Sequence, residues 1–79
     1  MSVRFADGTI ILEGECQVDE AEPLLEFLLA DPGAPVDWAG CTYLHTSLIQ
    51  VLLAVRPRVI NSPQSEFVLK WVVPTLNCR

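Results

Sequence analysis

Hydrophobic and polar positions follow two periods along this chain, one of about two residues and one close to four. Residues 3 to 7 (VRFAD) read as a short edge strand, closed by a turn at Asp7-Gly8. The stretch from Thr9 to Leu12 is rich in β-formers, and Gly14 ends or bulges it. The period then lengthens. In VDEAEPLLEFLLADPG, residues 18 to 33, Leu24, Leu25, Leu28 and Leu29 fall at helical spacing and Pro32-Gly33 stops the run. Asp19 and Glu22 have the spacing of a capping box, which satisfies orphan N–H groups where a helix begins. Pro23 lies within the first turn, where a missing N–H costs little.

A second alternation of the two periods follows. Pro35 to Tyr43 reads as a strand, with the buried run reaching Leu44. Ser47 to Val55 reads as a helix with Leu48, Leu52 and Val55 on one face, ended by Pro57. Arg58 to Ile60 is a short strand. Ser62-Pro63 places a capping residue before a proline at the first helical position, so a last helix is predicted from Pro63 to about Val73, before Pro74. The order β-β-α-β-α-β-α over residues 1 to 79 predicts a single small α/β domain, its sheet mostly parallel or mixed with crossover helices. No repeat or linker interrupts it.

Composition agrees with a packed core: 51% of residues are hydrophobic and 19% charged, away from the disordered class. Ten acidic against five basic side chains leave a formal net charge of −5. Non-specific nucleic-acid binding depends on clustered basic residues, and this chain has none. The same balance disfavours anionic membrane surfaces. No run approaches the ~18 apolar residues of a membrane span, and residues 1 to 15 lack the apolar stretch of a signal peptide. Cys16, Cys41 and Cys78 are odd in number and not close in sequence, which fits a reducing compartment better than a disulfide framework. A cytoplasmic protein is expected.

Candidate chemistry concentrates at one junction. In VDWAGCTYLHTSLIQVLLA, residues 36 to 54, three polar side chains, His45, Thr46 and Ser47, separate a strand from a helix. Helix N-termini present unpaired N–H groups and a positive dipole end, and strand-to-helix ends in α/β sheets are where ligands gather. A hydroxyl there caps the helix when unmodified. Phosphorylated, it becomes a dianion that repels acidic neighbours.

The same stretch resembles the central motif of STAS domains, the family of bacterial anti-sigma factor antagonists. Asp37 falls on the family's strand aspartate, Gly40 in its turn, Tyr43 and Leu44 on its apolar pair, and Leu52-Leu53 in its Leu-rich helix. Upstream, TIILEGE (residues 9 to 15) is similar to the family's second strand. The resemblance spans residues 8 to 73 and needs no gap at the junction. It implies that Thr46, with Ser47 beside it, is the hydroxyl that partner kinases phosphorylate, and that Asp37, His45, Thr46, Ser47 and Leu48 meet the partner. Two positions differ: His45 stands where the family has aspartate, and Leu48 where it has glycine. The chain is thus identified as a short member, degenerate at the phosphorylation motif. The implied activity is non-enzymatic: a signalling module that binds a kinase-fold anti-sigma factor. The alternative is a constitutive STAS subunit of a larger assembly, such as the ATPase of a phospholipid-transport ABC system or a chemotaxis or histidine-kinase complex. Homo-oligomerisation is left open.

Other readings of these residues are weaker. Thr46 and Ser47 serve equally as plain helix caps. Cys41 and His45 have Cys-x3-His spacing, but zinc needs three or four ligands and no second pair exists. A nucleophilic Cys–His pair needs the two within hydrogen-bond reach, whereas Cys41 is expected in the core and His45 exposed or facing a partner. Trp38 and Trp71 suit either core packing or a binding surface. Glu13, Glu15, Asp19, Glu20, Glu22 and Glu26 form an acidic concentration, read as a solvated face or as a match for a basic partner groove. No enzyme, cofactor or metal is expected.

Overall fold

A computed structural model describes residues 2–61, 65–66, 68–72 and 74 of the 79-residue chain. Among them, strands β1 (Val3–Ala6), β2 (Thr9–Cys16), β3 (Val36–Leu44) and β4 (Val59–Ile60) form one mixed sheet in the order β1-β2-β3-β4. β1 runs antiparallel to β2, while β2, β3 and β4 are mutually parallel. Helix α1 (Ala21–Ala30) joins β2 to β3, and α2 (Thr46–Val55) joins β3 to β4. A tight 3-10 turn, Val18–Glu20, precedes α1, and a π-helical turn spans Val68–Val72. The chain is therefore a small α/β domain, as its pattern predicts.

The β1–β2 hairpin turns on two residues. Asp7 and Gly8 both take left-handed φ, 52° and 75°, which matches the right-handed twist of the flanking strands. Ile10, Leu12 and Cys16 of β2 then point into the core at even spacing. β3 does not keep that period. Its register against β2 slips twice, between Ile11 and Glu13 and between Gly14 and Glu15, each time with an extra residue on β3. The inward side chains of β3 are consequently Val36, Trp38, Cys41 and Leu44. Strict alternation would have put Gly40 and Thr42 inside; the two bulges replace them with Cys41.

Both helices bury one leucine stripe against this face. Leu24 and Leu28 of α1 and Leu48 and Leu52 of α2 are at most 1% exposed and join one cluster with the strand residues, Val68 and Val72. Burying four leucines contributes on the order of 6 to 12 kcal/mol relative to leaving them in water, which makes this stripe the main attachment of the helices. Leu25 and Leu29, half of the α1 pattern, remain exposed.

The predicted capping box at Asp19 does not form. Asp19 is exposed, and α1 starts at Ala21 with no side-chain cap. The 3-10 turn supplies carbonyls instead: Gln17 O accepts from Glu20 N at 3.0 Å, and Val18 O accepts from Ala21 N. With those donors satisfied, Glu20 turns inward and its Oε1 accepts from Ser2 N at 2.9 Å. Its other oxygen is buried without a partner among the described residues. α2 ends as expected before Pro57, with Arg56 in the left-handed region (φ 53°) and its N–H on Leu52 O at 2.8 Å. The predicted Ser62-Pro63 opening of a last helix lies outside the described residues.

Candidate functional site

Parallel pairing of β2 with β3 brings their carboxyl ends together, Glu15 opposite Tyr43 and Cys16 opposite Leu44. The chain leaving β2 becomes Gln17 and Val18, and the chain leaving β3 becomes His45 and Thr46. The amide of His45 donates to Cys16 O at 2.9 Å, so the two exits are tied to each other. This is the end of a parallel sheet where α/β proteins place ligands.

The helix cap at this end is His45, not a hydroxyl. His45 is extended (φ −62°, ψ 149°), and its Nδ1 accepts the Ser47 backbone N–H at 3.1 Å. An N–H only donates, so Nδ1 is the acceptor in this bond. The Ser47 hydroxyl lies 2.9 Å from the same nitrogen and donates to it. His45 is half-buried by these contacts, and its carbonyl accepts from Leu48 and Ile49. The expectation that Thr46 and Ser47 cap α2, with His45 exposed or facing a partner, is corrected in this respect: His45 is the cap and half-buried. A side-chain acceptor one residue before the helix does what serine or aspartate does elsewhere.

Thr46 is then left over. It is the first residue of α2 and exposed, and its hydroxyl has no partner among the described residues. Beside the junction lies a shallow recess of about 420 Å³ lined by Glu15, Gln17, Thr42 and Tyr43. Gln17 Nε2 donates to Glu15 Oε1 at 3.4 Å. Val18, 58% exposed, adds an apolar side chain at the same end. Gln17, Val18 and Thr42 were missed in the sequence reading, because only the parallel register makes them neighbours of the junction.

The structure does not gather all five residues expected to meet a partner. His45, Thr46 and Ser47 are together. Leu48 is fully buried and supports the surface from beneath. Asp37 sits near the other end of β3, about 25 Å away at ~3.3 Å per residue, in a molecule 29 × 28 × 22 Å across. Each oxygen of its half-buried carboxylate has a partner there: Oδ1 accepts from Ala39 N at 3.0 Å and Oδ2 from Asn61 Nδ2 at 3.0 Å. Trp38, buried, donates its Nε1–H to Asn61 O at 2.8 Å. Trp38 is thus a core residue. Trp71 is 62% exposed, with Lys70 Nζ 5.5 Å from its ring centre.

The acidic concentration also divides. Glu20 is buried and the exposed Glu13 pairs with Arg4, so Glu15, Asp19, Glu22 and Glu26 are the exposed acids of this group outside that ion pair. Cys41 is buried, donates to Tyr43 O at 3.5 Å, and shares no hydrogen bond with His45 among the described residues. The Cys16 thiol faces backbone carbonyls, Glu13 O at 3.7 Å and Ser2 O at 4.0 Å. The interaction of the two buried thiols holds Cys41 below the ordinary thiol range and pushes Cys16 far above it, with burial and the Glu20 charge adding to the rise. Among the described residues no group of three or more His, Cys, Asp or Glu is placed to hold a metal, and no helix is long and apolar enough to cross a membrane.

No protein-family model matches the chain, and comparisons with curated proteins and with solved structures find no significant match.

Proposed function

We propose that this chain is a non-enzymatic regulatory module of bacterial signalling, working in the cytoplasm, and that its docking surface is the end built by His45, Thr46, Ser47 and the recess beside them. The observation that carries the reading is the division of labour at the α2 start. His45 and Ser47 satisfy the helix start, and the exposed Thr46 hydroxyl has no hydrogen-bond partner among the described residues. The resemblance of residues 36 to 54 to the STAS motif supports the rest: a kinase-fold anti-sigma factor as partner and phosphorylation of Thr46 as the switch. A phosphate on the first residue of α2 would sit at the positive end of the helix dipole, leaving the fold intact. It would also put a dianion where the partner docks and weaken the complex.

A second reading, a constitutive subunit of a larger assembly such as a transporter ATPase complex or a chemotaxis or histidine-kinase complex, has its own support. Leu48 stands at the family's glycine position and fills the core, and an imidazole replaces the aspartate beside the hydroxyl. Both changes alter a kinase substrate more than a docking face.

Affinity capture from the native cell lysate separates the two. Wild type and Thr46→Ala should retain the same partner, and Thr46→Glu should lose at least about tenfold, or 1.4 kcal/mol, of its affinity. Equal capture by all three would overturn the switch, and a transporter or receptor complex held equally by all would establish the constitutive reading.

A further inference from the structure

Helix α1 carries its leucines in two adjacent pairs, Leu24-Leu25 and Leu28-Leu29. Helical spacing sorts them into two parallel rows. Leu24 and Leu28 lie in the core, whereas Leu25 is 36% and Leu29 67% exposed, and neither belongs to the core cluster. A third row runs beside this outer one. At about 100° of turn per residue, Glu22 and Glu26 fall next to Leu25 and Leu29. Both carboxylates are exposed and have no ion pair among the described residues. The outer surface of α1 is therefore an apolar row flanked by an acidic one.

The charge is one-sided well beyond this helix. Nine of the ten acidic residues, and no lysine or arginine, fall between Arg4 and Arg56. Neither α1 nor α2 carries a lysine or arginine. Such a surface selects what can cover it. Its carboxylates repel anionic membranes and nucleic acid. A second copy is unsuited too, because pairing α1 with α1 about a two-fold axis would bring two Glu22–Glu26 rows together. The complementary cover is a helix of opposite charge, and amphipathic helices dock through anchors at this same spacing.

We infer that α1 is a docking surface for a basic amphipathic helix of a partner protein, which seats its apolar row on Leu25 and Leu29 and sets its cations against Glu22 and Glu26. The rows span only one turn of α1, so the contact is small and the complex transient. The surface is separate from the Thr46 end, shares none of its residues and does not rest on that reading.

The test titrates the isotope-labelled full chain with an amphipathic peptide of roughly 18 leucine and lysine residues, about five helical turns. The control has the same composition, scrambled so that no apolar face forms. Amide shifts should saturate and concentrate on α1, and the scrambled peptide should bind at least about tenfold more weakly. Leu25→Ser with Leu29→Ser should keep the fold, both positions being exposed, and lose at least about tenfold in affinity. Glu22→Gln with Glu26→Gln should lose about threefold and flatten the salt dependence. No saturable binding, equal binding of the scrambled peptide, shifts centred elsewhere, or unchanged affinity in either double variant would overturn the proposal. Self-association abolished by Leu25→Ser with Leu29→Ser would make a second copy the occupant. Binding of the chain to phosphatidylglycerol vesicles through the same leucines would make it a membrane. Either result would overturn the proposal too. All of these readouts use purified chain with peptide or vesicles, so their failure is distinct from a failure of docking at Thr46.

Discussion

The two ends of β3 carry similar polar chemistry and use it differently. At the amino end, Asp37 accepts from Ala39 and Asn61, and Trp38 donates to Asn61, so the short β4 is clasped to β3 from the side. Asn61 itself takes a left-handed φ of 65° to complete the clasp. At the carboxyl end, His45 accepts from Ser47, and the adjacent Thr46 is exposed. At one end the polar groups bond to each other across the fold, while at the other the exposed Thr46 hydroxyl has no partner among the described residues. A polar side chain that is satisfied internally reports on folding, and one that is not is available to a partner.

Substitutions should separate the ends accordingly. Trp38→Ala removes a buried indole together with its bond to Asn61, and should cost about 3 to 5 kcal/mol of unfolding free energy in urea titrations. That is a large share of the roughly 5 to 10 kcal/mol a domain of this size has. Asp37→Ala leaves the Ala39 and Asn61 donors without their acceptor and should cost about 1 to 3 kcal/mol, with partner capture unchanged at concentrations where the protein stays folded. A loss of capture by folded Asp37→Ala would place the docking surface at the wrong end. His45→Ala removes the α2 cap and should cost about 1 kcal/mol, whereas His45→Asp should recover most of it, because a carboxylate accepts the same N–H and suits the helix dipole. If His45→Asp is as unstable as His45→Ala, the cap assignment fails. Thr46→Ala should change stability by less than about 0.5 kcal/mol, while Thr46→Glu shows its effect only in binding.

Much of this was legible beforehand. The strand and helix order follows from the switch of period at Val18 and again at Ser47, and the hairpin from Asp7-Gly8. Pro57 marks the end of α2 correctly, since the residue before a proline avoids the right-handed helical region and Arg56 takes the left-handed one. The burial of Cys41 was also expected, although its cause was not. Two extra residues on β3 shift the inward face, and a bulge leaves no clear period in nine residues. The capping box at Asp19 failed because a 3-10 turn met the same demand through the backbone. His45 went unread as a cap because serine and threonine, both present, are the commoner choice.

The most direct test places a photo-crosslinking residue at position 46, or at exposed position 58 at the opposite end of the sheet, in the native host. Position 46 should give a discrete adduct with another protein and position 58 none. Adducts from position 58 alone, or the same adducts from both positions, would contradict the assignment of the carboxyl end of β3 as the docking surface.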